Sequence, residues 1–223
     1  MLGLGFLLGL EHAFEPDHVV AVTSIISKHK NLKKASILGA IWGIGHTTTL
    51  IIAGLIILTL KITIPETIAL SLEFLVGIVI VLLGFFVIKD LIVNKKHIHT
   101  HTHDESTHIH FHSHKEDESH HHYHKSFAVG LIHGMAGSAS LMLLILSTME
   151  SFIVGISYII LFGIGSIIGM GIVGGLISLP YVITSKKFSS LNIKIRYITG
   201  VVSIIFGVFL MVKIGYFEGL FLF

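Results

Sequence analysis

The sequence predicts an all-α integral membrane protein with six transmembrane helices, arranged as two inverted three-helix repeats. Three observations predict it. First, 52% of the 223 residues are apolar and only 13% are charged, with a mean hydropathy of +0.87, a balance that soluble domains do not show. Second, apolar runs between polar punctuation give six spans, at roughly 2–26, 36–60, 67–93, 126–149, 152–184 and 195–217, each long enough for a bilayer. Third, the two halves repeat. Gly9-Leu10-Glu11-His12 parallels Gly130-Leu131-Ile132-His133, and Trp42-Gly43-Ile44-Gly45-His46 parallels Phe162-Gly163-Ile164-Gly165-Ser166. Phe74, Gly77, Gly84 and Phe86 parallel Tyr197, Gly200, Gly207 and Phe209 in the same order. Three spans per unit is an odd number, so the second unit lies inverted, as in many secondary transporters. Residues 1–93 and 126–223 are the two units, joined by a histidine-rich loop at 94–125.

The basic residues orient this plan. Lys28, Lys30, Lys33 and Lys34 follow the first span, Lys89, Lys95, Lys96, Lys115 and Lys125 end and follow the third, and Lys186, Lys187, Lys194 and Arg196 follow the fifth. Only Lys61 and Lys213 fall on the opposite side. Positive residues stay cytosolic, which puts the loop in the cytosol and both termini outside the cytoplasmic membrane. The lipid bilayer is thus the first partner. A net charge of +2 implies no nucleic-acid partner. With no cysteine, disulfides, thiolate metal sites and a thiol relay are excluded. The N-terminal run lacks a basic flank and carries several ionisable groups, so it does not read as a cleaved signal peptide.

The first span holds Glu11, His12, Glu15, Asp17 and His18 within eight residues. Charged groups at membrane depth cost several kcal/mol, of order 3 each, unless paired, hydrated or bound to an ion. On an ideal helix Glu11, Glu15 and His18 share an arc, with His12 beside it and Asp17 elsewhere. Pro16 disturbs that arc: it offers no N–H to the His12 carbonyl, so a kink and a spare oxygen are expected there. Imidazoles, carboxylates and a free carbonyl at a break are good material for a cation site.

The second span carries His46, then Thr47, Thr48 and Thr49, which are expected to hydrogen-bond neighbouring helices. In the fourth, His133 is the repeat mate of His12 but lacks the partner acids, and Gly134, Ala136, Gly137, Ser138, Ala139 and Ser140 would let it approach the first span. Met135, Met142 and Met149 recur at sevens, a packing spacing. The fifth span is rich in glycine (Gly155, Gly163, Gly165, Gly169, Gly171, Gly174, Gly175) and should end near Pro180.

The loop is a second signal. His97, His99, His101, His103, His108, His110, His112, His114, His120, His121, His122 and His124 make up twelve of the residues in 97–124, with Asp104, Glu105, Glu116, Asp117 and Glu118 among them. Such a composition builds no core and reads as disordered without metal. Neutral imidazoles bind divalent ions and release them on protonation. Imidazole with carboxylate and no thiolate suits Ni²⁺, Co²⁺ or Zn²⁺; Ca²⁺ and Mg²⁺ want oxygen almost alone.

These residues also carry a resemblance that spans both halves. His12-Ala13-Phe14-Glu15-Pro16-Asp17-His18 resembles the His-x4-Asp-His signature of the nickel/cobalt transporter family, and Gly43-Ile44-Gly45-His46-Thr47 resembles its next-helix histidine motif. The stretch from His133 to Ala139 resembles its UreH-like urease accessory branch. The resemblance implies translocation of Ni²⁺ or Co²⁺ with His12, Asp17, His18 and His46 as the matching positions; Glu11, Glu15 and His133 are added as candidates from the residues themselves. No prosthetic group is expected, the ion being cargo, and Zn²⁺ is a further possible cargo. A membrane accessory protein for maturation of a nickel enzyme, urease-type, is the alternative. A membrane zinc metalloenzyme with an activated water is a third class, against which the repeat weighs.

Overall fold

The computed structural model describes residues 2–62, 65–94, 101–103, 106–108, 119–134 and 151–221. Helices α1 (Leu2–His12) and α2 (Pro16–Ile26) occupy the first predicted span, followed by α3 (Leu32–Leu60) and α4 (Glu66–Asn94). A short antiparallel pair, β1 (His101–His103) with β2 (Ser106–His108), lies in the histidine tract. Then come α5 (Ser119–His133), α6 (Phe152–Lys187), α7 (Ser189–Val212) and a π-helical turn, Lys213–Phe217. So within a tract expected to lack fixed structure, the described residues form a strand pair and the start of a helix. The rest of the fourth predicted span, with Met135, Met142 and Met149, lies outside the described residues, as do His97, His99, His110, His112 and His114.

Four helical stretches are long and apolar enough to cross a membrane: Leu32–Leu60, Glu66–Val93, Phe152–Lys187 and Ser189–Phe217. Their outer faces expose Ile52, Phe86, Ile168 and Ile205 among many large apolar side chains. No aqueous protein exposes so continuous an apolar surface, whereas a protein dissolved in lipid does so at no penalty. The chain is a multi-pass membrane protein.

Glycines decide how the helices meet. A Cβ on Gly45 of α3 would strike the Phe127 carbonyl of α5, and one on Gly130 of α5 would strike the Trp42 carbonyl of α3. The same reciprocal pattern joins α6 to α1: Gly165 meets the Phe6 carbonyl and Gly9 meets the Phe162 carbonyl. Helices α4 and α7 approach through Gly77 against Gly207 and Gly84 against Gly200. At these places only glycine lets backbones touch, which is how membrane helices gain dispersion contacts when lipid removes the hydrophobic drive between them. One core gathers Leu50, Tyr158, Ile159 and Phe162; another gathers Leu38, Trp42, Met170 and Val173. At the basic end the Arg196 guanidinium donates to Asp90 at 2.6 Å, tying α7 to α4.

Two expectations about the helices need correction. The fifth span does not break at Pro180, because α6 continues through it to Lys187. Hydroxyls serve the backbone around it: Thr184 Oγ1 donates to the Pro180 carbonyl at 2.6 Å and Ser178 Oγ to the Gly175 carbonyl at 2.7 Å. Neither bond goes to the Leu176 carbonyl, the one that lacks an N–H from Pro180; they serve carbonyls on either side of it. Nor does Gly134 serve an approach to the first span. Its Cβ position faces the His46 carbonyl and, at 2.9 Å, Thr49 Cβ, so α5 lies against α3.

Candidate metal centre

The chain breaks its first span between His12 and Pro16. Pro16 stands at the first helical position of α2, where its missing N–H matters least, and Glu15 before it is extended (φ −60°, ψ 143°). The expected spare carbonyl is not spare. Glu15 N–H donates to the His12 carbonyl at 3.1 Å, and Phe14 N–H donates to the Glu11 carbonyl at 2.9 Å, closing α1 with a tight turn. The break also rearranges the ideal-helix arc. Asp17, in the first turn of α2, comes to His18, while Glu11 stays exposed on α1.

Four imidazoles converge beside this break. His12, His18, His46 and His133 are all buried, at 4%, 0%, 0% and 1% exposure. Ring centroids of His12 and His18 lie 4.4 Å apart, His12 and His46 4.8 Å, and His18 and His46 5.0 Å. His133 stands slightly off, 5.6 Å from His18. One ring nitrogen from each of His12, His18 and His46 lies within 4.8 Å of the others, a set that can close on a metal ion. A second set, Glu15, Asp17 and His18, meets the same criterion nearer the surface.

Hydrogen bonds aim these rings. His12 Nδ1 lies 3.0 Å from Glu15 Oε1, and His18 Nδ1 lies 2.9 Å from Asp17 Oδ1. A carboxylate only accepts, so each Nδ1 carries the proton and each neutral ring keeps its lone pair on Nε2. His46 Nε2 is then the donor in its 2.8 Å contact with His12 Nε2. Replacing that proton with a metal ion would open the contact to about 3.3 Å, given metal–nitrogen bonds of roughly 2.0–2.1 Å. His18 Nε2 and His46 Nδ1 are buried without a hydrogen-bond partner among the described residues. Imidazoles whose far nitrogen is held by carboxylate are the usual form of histidine ligands, because the pairing fixes tautomer and ring plane. Glu15 and Asp17 thus act on the rings; Glu15 is the N-cap residue of α2 yet makes no side-chain cap bond there.

Each ring is carried on a constrained backbone. Helix α1 lies against α6 through Gly9, Gly165 and Gly169, which brings His12 to within 5.2 Å of the Phe162 ring. Helix α5 is held to α3 by Ser126 Oγ donating to the Leu38 carbonyl at 2.7 Å and Thr49 Oγ1 donating to the Leu131 carbonyl at 2.8 Å. Gly130 and Gly134 let that contact close beside His46, and His133 follows onto the cluster. Of the three threonines, Thr47 and Thr49 do bridge helices, while Thr48 donates to Ile44 of its own helix.

Sequence reasoning missed Trp42 and Phe162. Trp42 is fully buried, stacks on His46 at 5.6 Å with a 22° interplanar angle, meets His18 edge-on at 4.9 Å, and lies 5.2 Å from His133. Its position four residues before His46 placed both on one face of α3, which was the available signal. Phe162 had no comparable signal, since it reaches His12 from another helix.

Comparisons with known proteins come to the same class of molecule. Residues 18–209 match the family described as Cytochrome C biogenesis protein transmembrane region. The urease accessory protein UreH of Bacillus sp. (strain TB-90) is 42% identical over 221 residues, covering 99% of this chain and 94% of that one. Chloroplast proteins FOR GROWTH AND FERTILITY 1 and 2 of Arabidopsis thaliana are 25% and 28% identical, over 94% and 75% of this chain. The chain matches 58% and 44% of their lengths. No solved structure matches it. Similar to that family through most of its length and to UreH through nearly all of both chains, this protein belongs to the cytochrome C biogenesis protein transmembrane region family and stands with the UreH-type urease accessory proteins.

Proposed function

We propose that the chain carries a divalent transition metal, nickel or cobalt, across the cytoplasmic membrane, as a member of the nickel/cobalt transporter family. The observation that carries this reading is the buried set of His12, His18 and His46, two of whose rings are aimed by carboxylates. A nitrogen-rich set with acidic neighbours and no thiolate favours Ni²⁺ and Co²⁺, with Zn²⁺ as a competitor. His133 stands where a fourth ligand would approach from α5. Similarity to a urease accessory protein supports the choice of nickel. Thiol–disulfide chemistry is closed to a chain without cysteine.

The architecture belongs to the same proposal. Six spans in two inverted units account for the reciprocal glycine contacts: α3 with α5 and α6 with α1 exchange roles at offsets of 120 and 121 residues, and α4 with α7 does so at 123. Both termini then lie outside and the histidine tract lies in the cytosol. A cytosolic tract that gathers excess metal favours export. Its twelve imidazoles give it high binding capacity.

A second reading is favoured by the UreH similarity: a membrane accessory step that supplies nickel to an enzyme under assembly. Flux separates the readings. Proteoliposomes of known orientation should move Ni²⁺ or Co²⁺ with no hydrolysis of any substrate. Replacing the tract histidines with serine should preserve flux at saturating metal and weaken it at low metal. A correctly inserted chain that binds but never moves metal would leave the accessory reading. Loss of all flux in the serine variant would put the tract in the translocation path.

A further inference from the structure

The geometry points to two consecutive cation positions that share His18: an outer one formed by Glu15, Asp17 and His18 Nδ1, and an inner one formed by His12, His18 Nε2 and His46. This deepens the transport reading, on which it rests, by giving its residues an order of action.

Both residue sets are present at once and overlap in one imidazole. Their surroundings differ. The side chains of Glu15 and Asp17 are 35% and 22% exposed, whereas those of His12 and His18 are 3% and 1% exposed. Carboxylates can hold an ion that keeps part of its water, since oxygen ligands replace water with little rearrangement. The three-imidazole set is enclosed by Trp42 and Phe162 and takes an ion that has shed water. Nitrogen donors bind Ni²⁺ and Co²⁺ more strongly than oxygens do, so the drop runs inward.

His18 makes the two positions exclusive. A neutral imidazole has one lone pair. With the ion at the outer position His18 binds it through Nδ1 and carries its proton on Nε2. Transfer inward breaks the Nδ1–metal bond and forms one at Nε2, and the displaced proton ends on Nδ1, where Asp17 Oδ1 accepts it at 2.9 Å. His46 likewise shifts its proton from Nε2 to Nδ1, so that its lone pair faces the ion; with both tautomers exchanged no proton is gained or lost, and no second ion can bind His18 meanwhile. Once the ion has moved, Glu15 and Asp17 turn to the rings of His12 and His18. The 3.0 and 2.9 Å contacts are ones these carboxylates already make, so the return needs no new partner. The carboxylates therefore capture first and orient afterwards.

The protein contains its own reporter, because Trp42 is the sole tryptophan and stacks on His46. Bound Ni²⁺ or Co²⁺ at the inner position quenches its fluorescence. The full chain in lipid nanodiscs is mixed with CoCl₂ in a stopped-flow instrument. In the unaltered protein the quenching rate should level off as Co²⁺ rises, since capture precedes transfer. A rate that stays linear until the amplitude saturates overturns the relay. In the double variant Glu15→Gln, Asp17→Asn both amides can still accept from the rings but no longer draw or hold the ion. The rate at low Co²⁺ should fall by about tenfold or more, with the final quench at saturating Co²⁺ retained. Quenching at the unaltered rate, or loss of the final quench in a folded variant, overturns the proposal. Should that variant not fold, the concentration dependence in the unaltered chain decides alone. Absence of any quenching in the unaltered chain removes the metal reading itself and the relay with it.

Discussion

Helix α3 meets α5 through Gly45, with Trp42 and His46 on either side, while α6 meets α1 through Gly165, between Phe162 and Ser166. The two contacts are built alike, each glycine facing a phenylalanine carbonyl one helix away. What differs is the polar residue that follows. His46 joins His12 at 2.8 Å, whereas Ser166, equally buried, has no hydrogen-bond partner among the described residues. Likewise His12 has Glu15 three residues on, whereas His133 has Ala136 at that spacing. Helix approach and site chemistry are therefore separable in this protein. The backbone contact recurs at both crossings, and among the described residues the acid-oriented imidazoles belong to the first span alone.

The largest test of that contrast exchanges nothing but the polar residues. His46→Ala should reduce metal flux by about 100-fold or more, since losing a ligand exceeds losing one of its supporting groups. Ser166→Ala should leave flux within about twofold, the range of changes that touch no ligand. Comparable losses from both would mean that α6 carries chemistry as α3 does. Glycine substitutions probe the shared feature. Gly45→Val and Gly165→Val should each destabilise the protein by about 1–3 kcal/mol through backbone overlap, read as the midpoint of detergent-induced unfolding. If one is tolerated and the other is not, the two contacts are not equivalent. The smallest expected effect sharpens the asymmetry. Thr49→Val removes the 2.8 Å bond from α3 to the Leu131 carbonyl, for which α6 has only Gly169 at the corresponding place. It should cost about 0.6 kcal/mol, typical of a hydroxyl bond between membrane helices. A loss several times larger would show that this clamp, rather than glycine contact, holds α5 in place.

The membrane class and the two ends of the first span were legible because they depend on composition and on one proline. Burial of apolar surface in lipid needs only apolar runs of sufficient length, and Pro16 ends a helix wherever it stands. The signature from His12 to His18 was legible for a related reason: ionisable groups at membrane depth are too costly to be incidental. The details at Pro16 and Pro180 were not legible. Whether a freed carbonyl stays open depends on which neighbour reaches it, and Glu15 N–H does so at the first break, whereas at Pro180 the helix simply runs on to Lys187.

Sequence alone thus determined that this chain lives in lipid, where its first helix breaks, and that ionisable residues cluster at that break. Each follows from properties local to a few residues: side-chain polarity, backbone N–H count and spacing. Tertiary structure decided that His46 meets His12 and that Asp17 turns to His18. It also turned Glu11 away and lodged Trp42 and Phe162 against the imidazoles. Those outcomes depend on how closely separate helices approach, and that distance is set by pairs of glycines and carbonyls far apart in the chain.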